Sequence, residues 1–139
     1  MGISVPGAIG AKLVHPEKKI LAVCGDGGFM MNCQEFETAL RAKTPFVTLV
    51  FNDSSYGLIK WKQMDQYGKS CCVHFTNPDF VKFAESMGAI GYRITKAEDL
   101  VPTLKKAFEQ NVPVIIDCPV DYAENTKLTA HLKELMEKL

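Results

Sequence analysis

Ile20-Leu21-Ala22-Val23-Cys24-Gly25-Asp26-Gly27-Gly28 is an apolar run that empties into a glycine-rich acidic turn. Phe46-Val47-Thr48-Leu49-Val50-Phe51-Asn52-Asp53-Ser54-Ser55-Tyr56-Gly57 repeats that pattern downstream. Short, largely apolar runs without alternation suit strands buried on both faces of a parallel sheet. Residues 114–118 form a third such run and residues 89–94 a weaker fourth. The stretches between them are long enough for helices, and that alternation predicts a three-layer α/β/α fold with a mainly parallel sheet.

Working outward, residues 32–43 have a helical period with Phe36, Ala39 and Leu40 on one face, and Pro45 delivers the chain to the next strand. Residues 78–87 read as a second helix stopped by Gly88. Thr95 and Glu98 have the spacing of a capping box that opens a third helix running to Glu109, with Pro102 one turn inside as a candidate kink. Leu128, Leu132, Leu135, Met136 and Leu139 make the apolar stripe of a final amphipathic helix. With 139 residues, 47% of them hydrophobic, the chain suits a single domain with one packed core. The opening, Met1-Gly2-Ile3-Ser4-Val5-Pro6-Gly7-Ala8-Ile9-Gly10-Ala11, is dense in small residues. It starts abruptly enough to be read as part of a longer chain.

The two loops carry the chemistry. Glycines at a strand end let backbone N–H groups turn toward a phosphate, and an acidic residue there can hold the accompanying cation. Taken alone, Gly25-Asp26-Gly27-Gly28 is equally a tight turn with a solvated Asp. In a doubly wound sheet, however, neighbouring parallel strands release their loops at one carboxyl edge, so Asp26 and Asp53 are expected to converge. Two carboxylates at one point call for a cation, and magnesium is commonly held by one or two protein carboxylates plus phosphate oxygens.

Gly25-Asp26-Gly27, a helix containing Gln34-Glu35 and Thr38-Ala39, and Asn52-Asp53 before Tyr56-Gly57 together resemble the motif of the thiamine-diphosphate enzymes, a GDG followed by an NN pair. Met1-Gly2 with Pro6 and Ala8-Ile9-Gly10-Ala11 is similar to that family's opening helix. Pro113-Val114-Ile115-Ile116-Asp117 with Pro119-Val120-Asp121-Tyr122 is similar to the ending of its catabolic acetolactate synthases. The resemblance runs through nearly the whole chain.

What it implies is specific. Thiamine diphosphate and Mg2+ are the expected cofactors, with Asp26, Asp53 and the Ser55 carbonyl as metal ligands. Asp53 stands where the family usually has Asn, a departure that catabolic acetolactate synthases share. Gly25, Tyr56 and Lys62 are expected among the cofactor-binding residues, and the amides of Gly27, Gly28, Gly57 and Leu58 match positions that touch the diphosphate. Met1 matches a methionine that wedges beneath the cofactor rings. Residues 58–67 correspond to a mobile element over the reacting centre. Within it, Lys62 replaces the Trp of anabolic synthases and the Gln of some catabolic ones, at a position that bears on substrate.

Deprotonation of thiamine needs a carboxylate against the pyrimidine. In the family that glutamate lies on a separate domain of a partner subunit. No catalytic residue is therefore expected in this chain, which alone is predicted to bind the cofactor weakly without turning over pyruvate. The full enzyme is expected to be a homo-oligomer.

Composition excludes some other classes. Sixteen basic and sixteen acidic side chains cancel, and no long run of like charge points to nucleic acid or a lipid surface. No apolar stretch approaches the roughly 20 residues of a membrane span, so a cytoplasmic setting is expected. Cys24, Cys33, Cys71, Cys72 and Cys118 lack CxxC spacing and read as reduced thiols. His15, His74 and His131 share no metal-ligand spacing. Two other readings stay open: another thiamine-diphosphate decarboxylase or oxidase of 2-oxo acids, and a non-catalytic phosphate-binding α/β domain.

Overall fold

All four apolar runs fold as strands. In the computed structural model, which describes residues 1–122, β1 is Leu21–Gly25, β2 is Val47–Asn52, β3 is Ile90–Arg93 and β4 is Val114–Pro119. Their order is β1-β2-β4-β3 and every neighbouring pair is parallel. Parallel neighbours need crossovers long enough to hold a helix. Helix α1, Ser4–Val14, precedes β1; α2, Asp26–Phe29, and α3, Glu35–Arg41, lead to β2; α4, Gly57–Tyr67, and α5, Phe80–Ser86, lead to β3. A 3-10 turn, Ala97–Asp99, and α6, Leu100–Ala107, lead to β4.

Side chains alternate across a strand, and here they feed two cores. Ala22, Val50 and Ile115 face one layer, where Val5, Ile9, Phe36, Ala39, Phe80 and Ala84 bring in α1, α3 and α5. Phe29 lies at the centre of that layer, edge-on to Phe36, Phe80 and Phe83 with ring centres 5.4–5.9 Å apart. Val47, Leu49, Val114, Ile116 and Cys118 face the opposite layer and pack on Leu104, Ala107 and Phe108. The fold is thus the three-layer α/β/α architecture with a parallel sheet.

Several expectations need correction. β1 is not buried on both faces: Leu21 is 42% and Val23 50% exposed. Among the described residues it is one of the two edge strands, with β3 at the other edge, and α6, which packs over β2, β3 and β4, does not reach that side of it. α3 starts at Glu35, not near Asn32, because the Asn32 amide is drawn to the Gly2 carbonyl at 2.7 Å. Its place at the turn is taken by α2, a helical turn formed by Asp26-Gly27-Gly28-Phe29 itself.

Thr95 and Glu98 make no capping box; Thr95 Oγ1 donates to Asp99 Oδ2 at 3.1 Å, and the segment enters α6 through the 3-10 turn. Pro102 falls in the first turn of α6, where a missing N–H costs no helical bond, so nothing there forces a kink. α5 begins after Pro78 because Asp79 caps it, accepting from the N–H groups of Val81 and Lys82. Gly88, at φ +85°, follows α5 as its stop. The stripe expected over residues 128–139 lies outside the described residues. No helix among the described residues is long and apolar enough to cross a membrane.

Candidate functional site

Gly25 lies opposite Phe51 in the parallel register, so the loops after β1 and β2 leave the same edge of the sheet side by side. Asp26, the first residue past β1, is only 2% exposed. A carboxylate buried that deeply must be matched by donors, and three meet it. The Gly27 N–H reaches Oδ1 at 2.8 Å, the Ser54 N–H reaches Oδ2 at 2.7 Å, and Asn77 Nδ2 reaches Oδ2 at 2.6 Å. The Ser54 amide belongs to the peptide that follows Asp53, so the second loop is docked on the carboxylate of the first.

Asp53 is half-buried and turned back onto its own loop. Its Oδ1 accepts from the Ser55 N–H at 3.2 Å and its Oδ2 from the Ser55 hydroxyl at 2.7 Å. Ser54 takes a left-handed backbone, φ 54°, to make this bend. The loop is clamped from outside by residues 73–75: the Tyr56 N–H donates to the Val73 carbonyl at 2.8 Å, the Phe75 N–H to the Ser54 carbonyl at 3.1 Å, and Ser55 bridges His74. Both carboxylates also act on Tyr122. Burial first, then the charges of Asp53 and Asp26, push its hydroxyl above the usual tyrosine range.

The expected residues divide into two groups. Asp26, Asp53, Ser55, Gly27, Tyr56 and Gly57 come together: a β-carbon on Gly27 would stand 2.7 Å from the Tyr56 ring, and one on Gly57 would meet Asp53 Oδ2 at 3.6 Å. Gly25 ends β1 beside them. Gly28 follows in the same turn, and a β-carbon there would meet nothing within 4 Å among the described residues. Leu58 and Lys62 ride on exposed faces of α4, and Met1 is 78% exposed at the chain start. A concavity of about 600 Å³ lies at the opposite edge of the sheet, beside Lys19, Thr44, Pro45 and Phe108.

Sequence reasoning missed Asn77, the centre of the polar network. Its amide also donates to Asn52 Oδ1 at 3.0 Å, while its own Oδ1 is buried without a hydrogen-bond partner among the described residues. Asn52 Nδ2 in turn donates to Asp117 Oδ1 at 2.9 Å, and Arg93 Nε donates to Asp117 Oδ2 at 2.9 Å. Asp117 is 2% exposed, and its carboxylate raises the Arg93 pKa. The Asn77-Pro78 pair signals a turn, but nothing local says that the turn faces a carboxylate 51 residues earlier.

Known proteins similar to this chain fall into one family. Residues 1–118 match the family described as thiamine pyrophosphate enzyme, C-terminal TPP binding domain. The chain is 44% identical over 130 residues to an acetolactate synthase of Bacillus subtilis (strain 168), covering 94% of this chain and 23% of that protein. It is 36% identical over 138 residues to a catabolic acetolactate synthase of Raoultella terrigena, covering 98% of this chain and 25% of the relative. Among solved structures, the thiamine diphosphate-dependent 4-hydroxybenzoylformate decarboxylase of Rhodococcus jostii RHA1 superposes with a TM-score of 0.82 at 26% identity, over 89% of this chain and 24% of that one. The chain therefore spans about a quarter of the length of these relatives.

Proposed function

The chain belongs to the thiamine pyrophosphate enzymes through their C-terminal TPP binding domain, and from that premise we propose that it anchors thiamine diphosphate and Mg2+ in an acetolactate synthase of the catabolic type. The observation that carries the reading is the docking of the Asp53–Ser54 peptide on the buried Asp26 carboxylate. It sets two anionic loops at one edge of the sheet, as a divalent ion between protein and diphosphate requires.

The residues fit such a group. A carboxylate offers about four acceptor positions, and the three donors on Asp26 and two on Asp53 leave capacity on each for a cation. Asp26, Asp53 and the Ser55 carbonyl would hold the metal. The open space beside Gly28 suits a diphosphate, and the first-turn amides of α2 lack the backbone acceptors that later turns of a helix have. The amides of Gly28, Gly57 and Leu58 would donate to it, and that of Gly27 would do so by sharing the N–H it gives to Asp26 Oδ1, while Gly25 and the Tyr56 ring keep the turn in shape. When bound, thiamine diphosphate supplies the carbon nucleophile for a 2-oxo acid.

This chain's own work is to hold the cofactor and, through α4 with Lys62, to restrict access of water and substrate. Met1 would lie beneath the cofactor rings. The overall reaction proposed for the whole enzyme joins two pyruvates into acetolactate with loss of carbon dioxide. It needs a glutamate-bearing domain of the same or a partner subunit, and a homo-oligomer in the cytoplasm is the proposed setting. A second reading, decarboxylation of another 2-oxo acid, is favoured by the fold match to a decarboxylase and by Lys62 at the substrate-facing position.

Calorimetric titration tests the anchor. Thiamine diphosphate is expected to bind only with Mg2+ present, ATP poorly, and Asp26→Ala or Asp53→Ala to remove the metal-dependent part. Wild-type affinity in both variants would defeat the assignment. The chain alone, given cofactor and pyruvate, is expected to form no acetolactate until the complementary glutamate-bearing domain is added.

A further inference from the structure

Cys71 and Cys72 are both exposed, and their sulfurs stand 3.3 Å apart. Successive side chains of an extended chain point to opposite sides. Here Cys72 has φ +56°, a left-handed backbone unusual for a residue with a side chain, and it breaks that alternation so that the two sulfurs meet. The segment is pinned at both ends: the Cys71 N–H donates to Gln63 Oε1 at 2.9 Å, and Val73, 2% exposed, accepts from the Tyr56 N–H at 2.8 Å. The hydrogen bond and charge of Cys72 raise the Cys71 pKa. Cys24, Cys33 and Cys118 are half-buried or buried, and burial raises their pKa values.

Two thiolates on a tetrahedral zinc, each about 2.3 Å from the metal, stand roughly 3.8 Å apart. A separation of 3.3 Å is narrower and suits a pyramidal centre with bonds near right angles, as in arsenic(III). We propose that Cys71 and Cys72 form a preorganised dithiol site that captures trivalent arsenicals as a two-sulfur chelate. With an arsenoxide, two S–As bonds replace the As=O bond and both thiol protons leave with the oxygen as water, without change of oxidation state. The site is independent of the cofactor reading, since neither cysteine takes part in the Asp26–Asp53 cluster.

Intact-mass spectrometry of the full chain with phenylarsine oxide tests the proposal. The expected product carries one phenylarsine with loss of one water and has two fewer titratable thiols of the five. A dithiol should remove the group and a monothiol should not. Cys71→Ser and Cys72→Ser should each abolish the adduct, and Cys33→Ser should leave it. Preorganisation should make capture at least about tenfold tighter than in a synthetic peptide of residues 69–75. An adduct that survives either serine variant, yields to a monothiol, or forms as tightly on the peptide would overturn the proposal.

Discussion

Asn77 Nδ2 stands 2.6 Å from Asp26 Oδ2, and the same amide lies 3.0 Å from Asn52 Oδ1 and 3.4 Å from Ser54 Oγ. Three oxygens around one NH₂ group fix which way the amide points. Asn77 therefore orients the carboxylate proposed to hold the metal and ties it to the second loop. Groups that orient metal ligands commonly change metal affinity by about 10–100-fold when removed. Asn77→Ala is accordingly expected to weaken Mg2+-dependent thiamine diphosphate binding by at least about tenfold. Calorimetry at fixed Mg2+ measures it, and an unchanged dissociation constant would count against the orienting role.

Asp79 joins the far end of this network to a helix. It caps α5 and pairs through Oδ1 with an Arg93 guanidinium nitrogen at 3.1 Å. The Lys82 N–H above all, with the Arg93 charge and the Val81 N–H behind it and desolvation opposing, holds its carboxyl below the usual range. A depressed carboxyl stabilises the fold above its unfolded value, about 3.9, and loses that contribution as pH falls through the lower folded value. Asp79→Ala should therefore melt below wild type at neutral pH, with the gap closing in acid below about pH 4. Thermal melts at both pH values check the sign; a gap constant with pH would be the contrary result.

The sheet was legible because residues 47–50 and 114–118 are mostly apolar without alternation, and all of them are buried in a strand covered on both faces. β1 has the same composition, but its exposed Leu21 and Val23 depend on how far α6 reaches, which no local pattern encodes. The loops holding Asp26 and Asp53 were foreseeable from strand ends alone. Asn77, Asp117 and Arg93 were not, because their partners lie 24 to 65 residues away and each looks locally like an ordinary turn or strand residue. The cysteine pair was visible as a dipeptide, whereas the left-handed Cys72 that joins its sulfurs was not.

Two glycines should respond oppositely to alanine. In β3, a β-carbon on Gly91 would come within 2.5 Å of Val81 Cα and 2.7 Å of Val81 O, backbone atoms of α5 that cannot rotate away. Gly91→Ala is expected to cost about 1–3 kcal/mol by overpacking. Gly10 lies exposed inside α1 with nothing within 4 Å of the corresponding position. Gly10→Ala should stabilise by roughly 0.5–1 kcal/mol through lost unfolded-state entropy and better helix propensity. Urea unfolding of both variants gives the two signs, and a stabilised Gly91→Ala would contradict the close packing of α5 on β3.

α4 has no buried residue, although it carries Leu58 at 66%, Ile59 at 45%, Trp61 at 38% and Met64 at 46% exposure. A helix of 11 residues gains little from propensity alone and depends on packing that this one lacks. Its amides should exchange with solvent hydrogen far faster than those of β2 and β4, whose strands lie in the core. Trp61 is the chain's single tryptophan, so its emission reports on α4 alone. If α4 closes over a bound cofactor, thiamine diphosphate with Mg2+ should shift that emission to the blue and slow exchange in residues 57–67, while Mg2+ alone should do neither. Slow exchange in the free chain would mean that α4 is held by contacts other than the core, and a binding-competent chain with unshifted Trp61 emission would separate α4 from the cofactor site.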